Sequence, residues 1–275
     1  IGISSSLSLG RKTRSRVRVF YISSLLTKKS IKMKKLFLLS ILLLITNLAG
    51  AQVIQARVLD IEPMNLEKMK SAVAEKTKLY NSKEGSTRFS TFEILSGPNA
   101  NNLWRVQHGE EIGDFDSSVS KEELDYWWKT TGKLHTPLAN RFWYLNKDAT
   151  YIPDGYKRLN HRRVIIYKLI PGKEKDFWRY RTRLSVAMKQ AGWKNRVGVM
   201  SCMSGCNGSW VMVRYHHKDL ASMQDENSNM FSKVVDKYNE LYGKESYDDD
   251  YLNIQLSVSE NISHFQKLLP ELSSR

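Results

Sequence analysis

Two histidines stand 108 residues apart, His108 and His216, and each closes a run rich in apolar and aromatic residues, Leu103–His108 and Trp210–His216. Imidazole titrates near neutrality, so such a pair could transfer protons or hold a metal. The preferred reading is plainer: a strand-end histidine hydrogen-bonded at the start of the next helix, since perturbed groups mark sites only statistically. A second set, Met200, Cys202, Met203, Cys206, Met212 and His216, offers thiol, thioether and imidazole, which would suit Cu(I). Against it, methionines on strands usually fill the core, and Cys202 and Cys206 form a candidate disulfide if the chain is exported. No metal or cofactor is expected. The sequence holds no Gly-rich phosphate loop, no His-Glu-x-x-His helix and no Gly-x-Ser-x-Gly elbow. Asp248-Asp249-Asp250 lacks the spaced ligands of a calcium loop and reads as a solvated loop. Trp127-Trp128 could be a sugar platform, but Trp127 fits the buried stripe of a helix.

The elements that must carry these residues come twice. Shifting the chain by 108 residues lays Val58–Pro63 on Ile166–Pro171, Ser96-Gly97-Pro98-Asn99 on Ser204-Gly205-Cys206-Asn207, and His108 on His216. In each copy a β-branched run, Val53–Asp60 or Arg163–Ile170, predicts a strand that leads to a proline suited to opening a helix. Phe177, Tyr180, Leu184 and Met188 then make one helical face, and Leu66, Met69, Val73 and Tyr80 its counterpart. A hairpin follows, with arms 89–95 and 103–108, or 197–203 and 210–216, and turns at 96–102 and 204–209. Helical regions are expected over about 121–145, broken between Gly132 and Pro137, and over about 222–242. A last strand is expected near 149–152 and at 251–258. Each copy thus reads β-α-β-β-α-β, the ferredoxin-like order. The hairpin arms are apolar on both pleat faces. Val211, Val213 and Tyr215 point one way, and Trp210, Met212, Arg214 and His216 the other, so a second sheet must cover the face that helices do not.

The amino-terminal 51 residues stand apart. Met33-Lys34-Lys35, the apolar run Leu36–Leu48 and Ala49-Gly50-Ala51 have the order of an export signal. The apolar run is about 13 residues against the roughly 20 of a spanning helix, so no membrane span is expected after cleavage. Residues 1–32 read as upstream sequence outside the native protein. The formal charge of +15 falls to +5 once the ten basic residues of 1–51 are set aside, which removes the case for a nucleic-acid partner. The expected organisation is 1–32 upstream, 33–51 signal peptide, 52–160 first unit and 161–275 second unit, in an exported periplasmic or extracellular protein.

The stretch Val164–Phe177, VIIYKLIPGKEKDF, and the arm running into His216–Leu220, HHKDL, resemble the dimeric α+β barrel superfamily, which includes antibiotic-biosynthesis monooxygenase-like, EthD-like and NIPSNAP-like domains. The resemblance implies an α+β fold of two tandem ferredoxin-like units that form one pseudo-dimeric barrel within the chain, as a monomer or a higher homo-oligomer. It implies space between sheets and helices, and a candidate pocket of Trp104, His108, His135, Arg214 and His216, because aromatics, arginine and histidine line the pockets of its monooxygenase-like and haem-binding members. His135 is loosely like the helix histidine of the haem-degrading members, although their Asn, Trp and His set cannot be placed here. The leading functional expectation is an exported binder of a small apolar or aromatic ligand. The alternatives are a cofactor-independent or haem-dependent monooxygenase-like enzyme, and a structural or interaction module of the envelope.

Overall fold

Strands that are apolar on both faces need cover on both, and this chain supplies it by closing its sheet on itself. The structure, a computed structural model, describes residues 52–116 and 119–274. The upstream segment at 1–32 and the signal peptide at 33–51 lie outside the described residues. The described residues form eight strands and five α-helices, in the order β1 (Val53–Asp60), α1 (Leu66–Tyr80), β2 (Arg88–Ile94), β3 (Leu103–Gly109), α2 (Lys121–Thr131), β4 (Thr136–Leu145), β5 (His161–Leu169), α3 (Glu174–Gln190), β6 (Val197–Ser204), β7 (Trp210–His217), α4 (Asn229–Tyr242), α5 (Ser246–Leu256) and β8 (Val258–Leu268). The strands form a closed antiparallel barrel in the order β1-β3-β2-β8-β5-β7-β6-β4. Its two seams are β2 with β8, where Phe92 faces Leu268, and β4 with β6, where Leu145 faces Met200.

Residues of one pleat face fill the barrel, and those of the other face meet the helices. The lumen is packed at one end by Ile54, Val58, Trp104, Trp143, Met200, Trp210 and Met212. Outside the barrel, Val199, Val211 and Val213 pack with Phe177, Leu184, Val234 and Ile254 from α3, α4 and α5. Leu59 and Leu103 pack with Met69, Val73 and Trp127 from α1 and α2. Burying an aliphatic side chain of this kind contributes about 1.5–3 kcal/mol. The two faces of β7 divide as its sequence pattern predicts.

Helix starts follow local chemistry. Ser120 caps α2 by accepting from the Glu123 N–H at 3.1 Å, and Ser228 caps α4 by accepting from the Met230 N–H at 3.2 Å. The caps are themselves 108 residues apart. Pro63 opens a 3-10 turn, Pro63–Asn65, that leads into α1.

Four expectations are corrected. The stretch read as the distal part of a helix ending at 145 is strand β4; Leu138 and Phe142 imitate helical spacing, but Trp143 and Leu145 alternate into the lumen. The strand expected at 149–152 reduces to one bridge, Tyr151 to Val197. The strand expected at 251–258 is largely α5, and the last strand begins at Val258. Asp248–Asp250 is not a solvated loop. It lies in the first turns of α5, where Asp250 is buried and accepts from Tyr238 Oη (2.6 Å), Arg179 Nε (2.7 Å) and Arg183 Nη1 (2.8 Å). That carboxylate clamps α5 to α3 and α4.

Gly205 shows why the β6–β7 turn tolerates no side chain. Its φ is +83°, and a Cβ there would stand 2.5 Å from the Asn140 carbonyl of β4. Beside it, Cys202 and Cys206 are disulfide-bonded.

Candidate functional site

Helix α3 buries the stripe Phe177, Tyr180, Leu184 and Met188, and position 181 falls on the same side. The residue there is Arg181, 4% exposed. It lines a cavity of about 540 Å³ between the outer face of β5, β7 and β8 and the helices α3, α4 and α5. The guanidinium donates to the hydroxyls of Tyr215 (2.7 Å) and Tyr167 (3.1 Å) and lies against the rings of Tyr167, Phe177 and Tyr180. Its Nε is buried without a partner among the described residues. Burial alone would lower its pKa, but the phenolic oxygens of Tyr215, Tyr167 and Tyr180 hold it above the usual arginine value.

Tyrosines continue the wall. Tyr180 donates to the Tyr247 hydroxyl at 3.3 Å, and Tyr247 stacks on Tyr251 with centroids 6.0 Å apart. Burial raises the phenol of Tyr180 well above 10 and that of Tyr167 in the same direction, so both remain neutral donors and acceptors. Trp193 and Phe231 add apolar surface. At the rim Glu226 takes Arg163 at 2.5 Å and His217 Nε2 at 2.7 Å, so this carboxylate is engaged away from Arg181. The arrangement offers flat aromatic surface around one buried cation, which suits a planar ligand carrying an anionic or carbonyl oxygen.

A smaller cavity, about 220 Å³, lies between β1, β3 and the helices α1 and α2. Here Arg105, 2% exposed, donates to Thr91 Oγ1 (2.8 Å) and the Leu272 carbonyl (3.3 Å). Lys76 and Glu123 form a buried ion pair joined by Asn81, which donates to Glu123 at 3.0 Å. Burial, then Arg105, push Lys76 down to about 8; burial and Arg57 push Arg105 down to about 9.

The residues singled out from sequence lie elsewhere. Trp104, His108, Arg214 and His216 all stand on the lumenal pleat, and none lines either cavity. His108 bonds Ser90 at 2.7 Å and His216 bonds Tyr156 at 3.1 Å. His135 contacts the Thr131 carbonyl through Nδ1 (2.9 Å), stacks on Trp128 and meets Trp127 edge-on. Among the described residues no histidine lines either cavity. The soft-metal set is not assembled: the disulfide removes both thiolates, and Met203 is exposed. Arg181 and its tyrosines escaped the sequence reading, although one signal was present. An arginine inside the apolar stripe of α3 is a buried charge in search of a partner.

Comparison with known proteins follows the geometry. No family model matches the chain, and no curated protein matches it. Solved structures do. An anthrone oxidase-like protein superposes with a TM-score of 0.52 at 11% identity, covering 79% of this chain and 92% of that one. A monooxygenase-like protein from Lactobacillus acidophilus NCFM gives 0.54 at 8% identity, with 82% and 96% covered. A mutant chlorite dismutase from Candidatus Nitrospira defluvii gives 0.50 at 11%, with 82% and 94% covered. These similarities establish the fold alone, a closed α+β barrel.

Proposed function

We propose that this is an exported protein that binds a small aromatic ligand, with an anionic or carbonyl oxygen, in the Arg181 cavity. One observation carries the reading: a buried guanidinium that, among the described residues, hydrogen-bonds only to phenols, in the wall of a cavity of about 540 Å³. A buried charge without a carboxylate is costly unless a partner completes it. Further support comes from the 108-residue offset, which relates β1 to β5, α1 to α3, β2 to β6, β3 to β7 and α2 to α4. On this reading 52–160 and 161–275 are tandem copies of one ferredoxin-like unit. The offset breaks after α4 because α5 has no counterpart in the first copy. That insertion supplies Tyr247, Tyr251 and Ile254 to the cavity, so the second copy is the one specialised for a ligand. Export rests on the signal at 33–51. Among the described residues no helix is long and apolar enough to cross a membrane.

A second reading adds chemistry in the same place. The fold is shared with anthrone oxidase-like and monooxygenase-like proteins, and a cation among neutral phenols could stabilise the phenolate or enolate form of an oxidisable ligand. The experiment is calorimetric titration with 2-naphthoate and with anthrone, followed by oxygen-electrode measurements with anthrone. Binding of 2-naphthoate that is lost in Arg181→Met supports the binder, and oxygen uptake above the blank adds the oxygenase. Absence of binding by both compounds to the wild type, with no uptake, returns the protein to a structural or interaction role.

A further inference from the structure

At the polar mouth of the lumen several arginines meet, and among the described residues no carboxylate is a leading influence on them. Arg162 and Arg214 are buried, Arg196 is half-buried, and Arg158 is exposed at the rim. Strand pairing puts them together. Arg162 stands between His216 of β7 and Gln266 of β8, and Arg214 stands beside Gly198 of β6. A Cβ at Gly198 would come within 3.2 Å of Arg214 Nη2, so glycine leaves the guanidinium its place. Arg162 donates through Nε to Gln266 at 2.6 Å and lies 3.5 Å over the Phe92 ring, and Arg158 donates to Ser90 at 2.9 Å.

The acceptors given to this mouth, Gln266 and Ser90, are neutral and do not serve every donor. Among the described residues, Nε of Arg196, Nε of Arg214 and Nε2 of His216 are buried without a partner. In the tautomer in which Nδ1 of His216 accepts from the Tyr156 hydroxyl, Nε2 carries the imidazole proton and is a third unpartnered donor of this cluster. The strongest influences on Arg162, Arg214, His108 and His216 are burial and then other cations: Arg88, Arg158, Arg162, Arg196 and Arg214, with Tyr156 the one opposing group. Burial and these cations push His108 down to about 3, and burial with Arg162 pushes His264 to about 4, so the histidines stay neutral at pH 7. Buried cations crowded without counter-charge call for one from outside.

We propose that the polar mouth of the barrel is a seat for a compact polyvalent oxyanion, of the size and charge of phosphate or sulfate, held by Arg162, Arg196, Arg214 and His216 Nε2–H. Arg158, exposed at the rim, marks the entrance. The seat is separate from the Arg181 cavity and independent of what that cavity binds.

The test is calorimetric titration of the protein with inorganic phosphate, sulfate, malonate and nitrate at constant ionic strength in chloride buffer, at pH 7. Saturable binding of phosphate or sulfate, with nitrate inert, is expected. The relative response to malonate distinguishes an organic dicarboxylate from an inorganic anion as the native occupant. Affinity should fall about tenfold or more in Arg214→Gln and Arg196→Gln, because each removes a charge-assisted hydrogen bond. Should the first variant fail to fold, the half-buried Arg196 variant decides alone. The His216 ring resonances should move on anion addition in the wild type. Lack of saturable binding of any polyvalent anion, or undiminished binding in Arg196→Gln, overturns the proposal.

Discussion

The cavities under the two sets of helices treat a buried arginine in opposite ways. Beneath α1 and α2, Arg105 is given internal acceptors, Thr91 and the Leu272 carbonyl, and Lys76 nearby is matched by Glu123. Beneath α3, α4 and α5, Arg181 receives, among the described residues, only the hydroxyls of Tyr167 and Tyr215, and the space beside it is more than twice as large, about 540 against 220 Å³. The lesson is one of completeness. A buried cation whose acceptors are all internal is a structural device. In the function proposed above, one that is left with neutral phenols and open volume awaits a partner from outside.

The sharpest way to break that contrast is Glu123→Ala, which strands Lys76 and Arg105 in the smaller cavity. A loss of about 3–5 kcal/mol in urea denaturation is expected; a loss under 1 kcal/mol would show that this cavity is as incomplete as the other. Asp250→Ala frees α5, the roof of the larger cavity, from α3 and α4. Because Arg179 and Arg183 are each about a third exposed, the expected loss is smaller, about 2 kcal/mol. Calorimetry should also show weaker ligand binding in that variant. Arg181→Met should cost only about 1 kcal/mol, the net value of its hydrogen bonds, while abolishing binding of 2-naphthoate. Stability loss without binding loss would make Arg181 another Arg105.

Alkaline pH should separate the two regions by sign. Lys76 has a folded pKa of about 8, below its unfolded value, so the unfolded chain holds the extra proton from about pH 8 to 10.4. Its contribution to stability rises with pH through that window. Tyr167, Tyr180 and Tyr247 are raised above 10, so their contribution is intact below 10 and is lost as pH climbs past it. Urea denaturation from pH 8 to 11 should show each slope, about 1.4 kcal/mol per pH unit at most for each titrating group. Lys76→Met should flatten the first, and Tyr180→Phe should lessen the second.

Much of the architecture was legible because pleat and helix periods survive in the residues themselves. The apolar faces of Val211, Val213 and Tyr215 and of Trp210 and Met212 demanded cover on both sides, and the closed barrel gives it. Strand β4 was not legible, because Leu138 and Phe142 sit at a helical interval inside a strand. Helix α5 was missed because it interrupts the register that relates the halves. The site was less legible than the fold. Histidines at strand ends drew attention by type, yet burial keeps His108 and His216 neutral in the lumen. The buried guanidinium of the larger cavity belongs to one of three alternating arginines. Arg179 and Arg183 turn to Asp250, and only Arg181 turns to the sheet.

The seam between β2 and β8 has a consequence for how the barrel is made. Strand β8 closes the ring, and the residues after it fasten β2: Leu269 donates to the Thr91 carbonyl, and Ser274 donates to that of Phe89. Thr77 of α1 and Arg105 of β3 both take the Leu272 carbonyl. Residues 258–274 are synthesised after everything they bind, so the first half cannot complete its hydrogen bonding until the chain has run nearly its whole described length. Closure joins segments some 180 residues apart, as in the Thr91–Leu272 bond, and ordering so long a loop is slow. Closure of the β2–β8 seam therefore requires the last strand, and without it β2 would present an open edge on that side.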